Sequence, residues 1–229
     1  MRIGILGGTL DPVHFGHLEA AAAARRVLSL DEVRLIPSRL PPHRQTQPAA
    51  SGYHRFAMAA LAVNGLDWMA VSDMELQAPG PSYTSDTLSR LKAEGLDPSQ
   101  LFFITGADAF AEIATWHEYP AVLEMAHFVV VSRPGYPAAD LVATLPALAG
   151  RMRRGGPRVD ADSEPCIHLV SERTPDISSS GIRRRLAEGV SIEGLVPVAV
   201  AAHIRRHGLY ARPSTPAFHS AADHLHDEN

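Results

Sequence analysis

Cysteine and lysine are almost absent from this 229-residue chain. The single cysteine, Cys166, excludes an internal disulfide and a zinc site built from cysteines. A chain without disulfides suits a reducing compartment, so we expect a cytoplasmic protein. Lys92 is the only lysine, and arginine accounts for the rest of the 21 basic residues. The Gly-Lys-Ser/Thr signature of a P-loop is therefore missing, and any bound phosphate must be met by arginine, histidine and backbone N–H groups.

Long apolar runs and a positive charge excess are also lacking. No run approaches the roughly 20 apolar residues that span a bilayer, and the N-terminus has no signal-peptide pattern, so no membrane partner is expected. The formal net charge of −4 argues against nucleic acid as a partner. We expect one domain over residues 1–212 and a polar, disordered tail over residues 213–229. The oligomeric state is left open, and a homo-oligomer is compatible with the sequence.

Apolar strand patterns alternate with helical ones along the chain. This alternation predicts a doubly wound, Rossmann-like α/β fold with a mainly parallel sheet, helices on both faces and a small helical C-terminal part. Ligands in such folds bind beyond the carboxyl ends of the strands. The strands are expected at residues 2–6, 32–37, 68–74, 101–105, 127–132 and 166–171. Helices with both ends predicted are expected at residues 17–28, 53–64, 141–148, 177–188 and 197–207. A further helix is expected to begin with Thr84 or Ser85 as its N-cap, and another is expected to follow residues 106–108 and end at about residue 114. Residues 151–165 are expected to form a surface loop.

The first strand runs into the sequence Gly-Gly-Thr-Leu-Asp-Pro-Val-His-Phe-Gly-His, residues 7–17. Paired glycines permit a close approach of a ligand to the backbone. A helix that begins near Phe15 would aim free N–H groups and its positive dipole end at the preceding turn. His14 and His17, three positions apart, can face the same point. The pattern indicates a phosphate site, and the alternative is a tight connection capped by Asp11 with two surface histidines.

A second candidate phosphate element is the run Ile-Ser-Ser-Ser-Gly-Ile-Arg, residues 177–183. Consecutive serines at the head of a helix offer hydroxyl and backbone N–H donors, and Arg183 lies one turn into that helix. The alternative is an ordinary serine cap with arginines that face solvent.

Together the two elements resemble the nucleotidyltransferases with a His-x-Gly-His motif, and more narrowly the bacterial nicotinate-nucleotide adenylyltransferases. Leu10 stands where that family usually has Phe, and Ser180 stands where its Ile-Ser-x-Thr-x-x-Arg element has Thr. The resemblance extends from residue 2 to about residue 210. It includes the segments Pro-Ser-Tyr-Thr at 81–84, Gly-Ala-Asp at 106–108 and Thr-Trp at 115–116.

The resemblance implies an enzyme that transfers the adenylyl group of ATP to nicotinic acid mononucleotide and releases pyrophosphate, a step of NAD biosynthesis. It implies Mg²⁺ bound to the ATP phosphates and no metal site on the protein. His17 is expected at the α-phosphate with His14 assisting, and Arg183 at the departing phosphates. The implied ATP-binding residues are Gly7, Gly8, Thr9, Asp11, His14, His17, Gly106, Asp108, Ser178, Ser180 and Arg183.

For the pyridine nucleotide, the resemblance points to Thr84 and Trp116, with Arg133 as a further candidate. An aromatic plane can stack on a pyridine ring, but core packing is the alternative for Trp116. Asp108 could meet a hydroxyl group or simply cap a helix. His43 and Arg44, in a proline-rich loop, could close over the phosphates.

Two rival functions follow from the same residues. The acceptor could be nicotinamide mononucleotide, phosphopantetheine or, with a cytidylyl donor, an alcohol phosphate. A protein of another class, a non-catalytic ATP-sensing module, would bind ATP without turnover.

Overall fold

Seven parallel strands form one sheet in the computed structural model, which describes residues 1–42, 47–155, 164–172 and 174–211. The strand order is β3-β2-β1-β4-β5-β7-β6. The bounds are β1 Ile3–Gly8, β2 Glu32–Pro37, β3 Met69–Val71, β4 Leu101–Gly106, β5 His127–Val131, β6 Met152–Arg154 and β7 Ile167–Val170. The order reverses between β1 and β4, so the crevice for a ligand lies beyond the carboxyl ends of those two strands.

Eight α-helices accompany these strands within the described ranges, and the last two follow β7. Their bounds are α1 Phe15–Leu28, α2 Gly52–Val63, α3 Met74–Gln77, α4 Thr84–Ala93, α5 Ala107–Phe110, α6 Leu141–Thr144, α7 Ser179–Ala187 and α8 Val198–Arg206. Short 3₁₀ helices lie at Pro98–Gln100, Ile113–Thr115, Ala121–Glu124, Ala138–Asp140 and Pro146–Arg151. None of the helices described is long and apolar enough to cross a bilayer.

The strands are apolar on both sides because helices cover both faces of the sheet. In β5, Val129 and Val131 join the cluster beneath α1, α2 and α8, whereas Phe128 and Val130 join the cluster beneath α4 and α5. A fully buried parallel strand needs such a continuous apolar run. The doubly wound α/β fold expected from the sequence is therefore confirmed.

Several expectations about elements need correction. The helix expected to about residue 114 ends at Phe110, and the strand expected at residues 68–74 is limited to Met69–Val71. Tyr83, and not Thr84 or Ser85, is the N-cap of α4, and its side chain makes no capping hydrogen bond. The helix expected over residues 141–148 ends at Thr144 and continues as a 3₁₀ helix. Residues 152–154 form β6 in place of a loop, and Arg153 pairs with His168 of β7. The strand was missed because its sequence, Met-Arg-Arg, lacks the apolar pattern of its neighbours.

A buried arginine braces the loops beside the ligand crevice. Arg55 on α2 is 2% exposed. Its guanidinium donates to the carbonyl oxygens of Thr9 at 2.8 Å, Ser38 at 2.7 Å and Ala50 at 3.1 Å. The loop after β1 and both ends of the connection between β2 and α2 are thus tied to one side chain. Buried carbonyl groups that lose such a donor carry a desolvation penalty.

We expect Arg55→Leu to lower the free energy of unfolding by about 3 kcal/mol, because it leaves these carbonyl oxygens without their donor. Urea unfolding at pH 7 measures the change. The matched control is Arg184→Leu on the exposed side of α7, which should change the stability by less than about 0.5 kcal/mol. Equal effects of the two substitutions would contradict the bracing role.

Candidate active site

A cavity of about 510 Å³ opens beyond the carboxyl ends of β1 and β4. One part of its wall consists of the β1–α1 turn and the first turns of α1 and α7. The other part consists of the start of α4, the residues after β4 and the Trp116 region. The cavity thus lies where the reversal of strand order predicts a ligand site.

Two histidines lie together at the first turn of α1. His14 is the N-cap residue and His17 follows one turn later, with ring centroids 3.8 Å apart. The backbone N–H of His14 donates to Nδ1 of His17 at 3.2 Å. Because Nδ1 is the acceptor, the proton of the neutral His17 ring is on Nε2. Nε2–H is therefore available as a hydrogen-bond donor for a ligand.

Both rings are held in the neutral form. Burial, followed by the positive charge of Arg133, lowers the pKa of His14 to about 4. Burial is also the main reason that the pKa of His17 lies well below 6.5, with smaller contributions from His14 and Arg133. At neutral pH these rings can thus offer N–H donors to a phosphate, but they do not supply a positive charge.

Gly16 makes room for the His14 ring. A Cβ atom at position 16 would lie 2.9 Å from both Cε1 and Nδ1 of His14 and 3.4 Å from the carbonyl oxygen of Ile177. Distances of 2.9 Å are shorter than a carbon atom tolerates, so a side chain here would displace the imidazole. This contact explains why a glycine stands between the two histidines.

The expectation of free N–H groups at the start of α1 holds only in part. The Phe15 N–H donates to the carbonyl oxygen of Leu195 at 3.0 Å, and the His17 N–H donates to the carbonyl oxygen of His14 at 2.9 Å. The sequence could not reveal the first of these bonds because Leu195 is distant in the chain. The imidazoles, more than the main chain of α1, present donors to the cavity.

The serine run expected to bind phosphates lies at the N-terminus of α7 and lines the cavity with Ser178, Ser179 and Ser180. Ser178 is the N-cap, and its hydroxyl accepts the Gly181 N–H at 3.1 Å. Ser179, which the sequence did not single out, donates to the carbonyl oxygen of Pro12 at 2.9 Å. The two candidate phosphate elements are thus in direct contact.

Asp11 and Arg183 are not among the residues that line the cavity, and their expected contact with ATP stays a prediction. The carboxylate of Asp11 is 1% exposed and accepts hydrogen bonds from the N–H groups of Ala49 at 2.7 Å and Ala50 at 3.1 Å and from the Tyr210 hydroxyl at 2.7 Å. Arg183 donates to the main-chain oxygen of Asp11 at 2.6 Å. Both side chains are committed to holding the β1–α1 turn.

Gly106 leaves space for the side chains of Asp108 and Arg133 at the cavity wall. A Cβ atom at Gly106 would lie 2.3 Å from Oδ1 of Asp108 and 2.8 Å from Nε of Arg133. The two charged side chains approach each other at 3.8 Å over this glycine. Among the described residues of the cavity wall, Arg133 is the only arginine or lysine, and its charge acts on both His14 and His17.

An aromatic region closes the other part of the cavity. Trp116 packs edge-on against Phe103, with ring centroids 5.9 Å apart, and also lines the cavity together with Thr84. Tyr83 stacks on His117 at 4.2 Å between ring centroids. Trp116 thus packs against the core, as one of the two alternatives predicted, and it is half-buried at the cavity wall, so its stacking on a pyridine ring stays a prediction.

Most of the expected site residues line the cavity. The cavity wall includes the expected residues Gly7, Gly8, Thr9, His14, His17, Thr84, Gly106, Asp108, Trp116, Arg133, Ser178 and Ser180. His43 and Arg44 lie outside the described residues. The wall also contains Glu75, Tyr83 and His117, which sequence reasoning missed. His117 follows the Thr-Trp segment and Tyr83 belongs to the Pro-Ser-Tyr-Thr segment, so both motifs carried a signal for them.

Residues 5–185 match the family model described as cytidylyltransferase-like. The nicotinic acid mononucleotide adenylyltransferase of Plasmodium falciparum, solved with NaAD, superposes with a TM-score of 0.68 at 17% identity, covering 91% of this chain and 97% of that one. At so low an identity this likeness establishes the fold. Fold, paired histidines and serine-headed helix together define a nucleotidyltransferase of the cytidylyltransferase-like class.

Closer relatives narrow the class. A protein of Pseudomonas syringae pv. tomato named "Probable nicotinate-nucleotide adenylyltransferase" is 42% identical over 93% of this chain and 96% of its own length. A protein of the same name from Desulfatibacillum aliphaticivorans is 40% identical over 92% of this chain and 100% of its own length. The chain belongs to the nicotinate-nucleotide adenylyltransferase family.

We expect the His14 ring of the folded protein to remain neutral between about pH 8 and pH 5, because burial lowers its pKa from 6.5 to about 4. NMR chemical shifts of the ring, assigned with His14→Gln, follow the titration. The urea-unfolded chain is the control and should titrate near 6.5. Because only the unfolded state gains this proton below pH 6.5, His14 also lowers stability as the pH falls towards 4. A folded-state midpoint near 6.5 would contradict this assignment.

Proposed function

We propose that this chain catalyses the transfer of the adenylyl group of ATP to nicotinic acid mononucleotide, which yields nicotinic acid adenine dinucleotide and pyrophosphate. The observation that carries the proposal is the convergence of His14, His17 and the α7 serines on one cavity. This cavity also has an aromatic region at Trp116. Relatives of about 40% identity carry the corresponding enzyme name.

In the reaction, an oxygen of the mononucleotide 5′-phosphate attacks the α-phosphorus of ATP. A new P–O bond forms, the bond between the α-phosphorus and the bridging oxygen breaks, and pyrophosphate leaves with that electron pair. The nucleophile is already an anion, so no protein base and no covalent intermediate are required. Catalysis therefore depends on alignment and on stabilising charge in the transition state.

His17 is the principal group in this proposal. Its Nε2–H donates to an oxygen of the α-phosphate, and the fixed Nδ1 contact with the His14 N–H keeps the donor aimed while charge builds up. His14 lies against it and assists from the same turn. A neutral donor needs no proton release or uptake during turnover.

Positive charge for the phosphates comes from Arg133 in this proposal. Its guanidinium lies on the cavity wall, and its field reaches both histidines. The sequence had placed Arg133 with the pyridine nucleotide, but its position on the cavity wall suits a phosphate as well. Ser178 and Ser180, at the positive end of α7, hold the departing β- and γ-phosphates.

In this proposal Arg183 is a positioning residue, which holds α7 against the β1–α1 turn. It joins α7 to the main chain of the β1–α1 turn, so its loss would separate the serines from the histidines. The departing phosphates then meet the N-terminus of α7 and not the Arg183 guanidinium. Asp11 has a similar indirect role, since its carboxylate anchors the turn from the buried side.

Magnesium is proposed as the ion that accompanies ATP. Among the described residues, no cluster of three metal-binding side chains lies in the cavity, although Asp108, Glu75 and Glu112 line it singly. This donor set fits an ion held mainly by phosphate oxygens and water. When bound, magnesium neutralises phosphate charge.

In this proposal the pyridine ring lies against Trp116, a half-buried aromatic residue that lines the cavity. Thr84 and the first N–H groups of α4 are suited to the ring's carboxylate, because a helix N-terminus favours an anion. This feature favours the acid over the amide as acceptor.

We also propose a single catalytic domain and a cytoplasmic location. The presence of only one cysteine supports the location, because it suits a reducing compartment.

Pyrophosphate release with ATP and each acceptor in turn tests the function. We expect turnover with nicotinic acid mononucleotide, slower turnover with its amide, and none with phosphopantetheine. The control variant is His17→Ala, which should lower kcat by about 100-fold or more while the KM for ATP rises less, because the contact matters mainly in the transition state.

Two results would contradict the proposal. Tight ATP binding without pyrophosphate release for any acceptor would point to the ATP-sensing alternative. Nearly unchanged turnover in His17→Ala would remove His17 from its proposed role, even if the substrates were correct.

A further inference from the structure

Three potential metal ligands lie together at the N-terminal ends of two strands, whereas the cavity lies at the carboxyl ends of the sheet. His127 is the first residue of β5, and Cys166 and His168 lie at the start of the neighbouring strand β7. The sulfur of Cys166 lies 3.4 Å from Nδ1 of His127 and 3.3 Å from Nε2 of His168. All three ligand atoms lie within 4.8 Å of one another.

These separations suit a shared ion. With Zn–S near 2.3 Å and Zn–N near 2.0–2.1 Å, tetrahedral coordination places sulfur and nitrogen about 3.6 Å apart. The thiol has one hydrogen, so it can donate to only one of the two ring nitrogens that approach it. An ion bound to the thiolate would engage both imidazoles at once.

The two imidazole rings are buried, whereas the thiol is partly exposed to solvent. His127 is 0% exposed and stacks on Phe102, with 4.7 Å between ring centroids. His168 is 4% exposed. Cys166 is only partly buried, which leaves a route for an ion from solvent.

We propose that His127, Cys166 and His168 form a binding site for Zn²⁺, outside the catalytic cavity. A borderline-soft ion is indicated because the ligands are one thiolate and two imidazoles, whereas Mg²⁺ prefers oxygen ligands. A single cysteine excludes a zinc site built from cysteines, but it can still bind an ion together with histidines. Here the fold supplies the two histidines from adjacent strands.

The site is expected to bind less tightly than a structural zinc finger. The Cys166 N–H donates to Nδ1 of His127 at 3.2 Å, and the ion must replace that contact. In the described part of the chain, Nε2 of His127 and Nδ1 of His168 have no hydrogen-bond partner. Ligating histidines normally have such partners, and their loss typically weakens metal affinity by about 10- to 100-fold.

The position of the site indicates a stabilising role and not a catalytic one. β5 separates His127 from the cavity edge by about 13 Å of strand. An ion would cross-link β5 and β7 at their N-terminal ends, and binding to the folded state alone raises stability. This inference does not depend on the proposed adenylyl transfer.

Cobalt titration of the full-length, reduced protein tests the site. Co²⁺ bound to a thiolate produces a charge-transfer band in the near ultraviolet, and Cys166 is the only cysteine that can produce it. We expect a saturable band at one equivalent, displaced by Zn²⁺ and not by Mg²⁺. Cys166→Ser should abolish the band, and His168→Gln should weaken binding at least 10-fold. Zn²⁺ should raise the Tm of the unsubstituted protein and not that of Cys166→Ser.

A second histidine cluster supplies the matched control. His54 on α2 lies against His203 of α8, with 3.1 Å between Nδ1 and Nε2. His54→Gln should leave the cobalt band and its affinity unchanged. Absence of the band at saturating Co²⁺ would overturn the proposal, as would a band whose affinity is the same in His168→Gln. Unchanged pyrophosphate release in Cys166→Ser would show that the variant folds.

Discussion

The hydrogen bond from the His14 N–H to Nδ1 of His17 is the contact on which the site depends. It fixes the tautomer of His17 and aims Nε2–H at the cavity. The His14 ring packs against the His17 ring at the first turn of α1, and only a glycine at position 16 leaves space for it there. Three residues of one helical turn thus convert a neutral imidazole into a directed donor.

Buried and part-buried polar contacts hold that turn in place. Asp11 anchors it to the segment at 49–50 and to Tyr210, and Arg55 ties it to the loop after β2. Arg183 and Ser179 attach α7 to the same turn. The histidines and the α7 serines are therefore held in position by polar contacts formed within the protein itself, which is the arrangement that electrostatic stabilisation requires.

The fold, the glycine–histidine turn and the serine-headed helix could be predicted from the sequence because their signals are local. Apolar strands, the glycine–histidine turn and the serine-headed helix each occupy fewer than about 15 consecutive residues and follow simple periodicities. Roles that depend on distant partners could not be predicted. Asp11 meets Tyr210, and Arg183 meets the main chain of Asp11, across most of the chain. Similarly, no spacing rule brings His127 to Cys166.

The kinetics of Gly16→Ala test the central claim most directly. The added Cβ would lie 2.9 Å from the His14 ring and so displace it from His17. We expect kcat for pyrophosphate release to fall about 100-fold with the fold intact, since a misplacement near 1 Å has that effect. Gly150→Ala, with open space around its Cβ, is the matched control and should retain full activity. A Gly16→Ala enzyme with unchanged kcat would contradict the account.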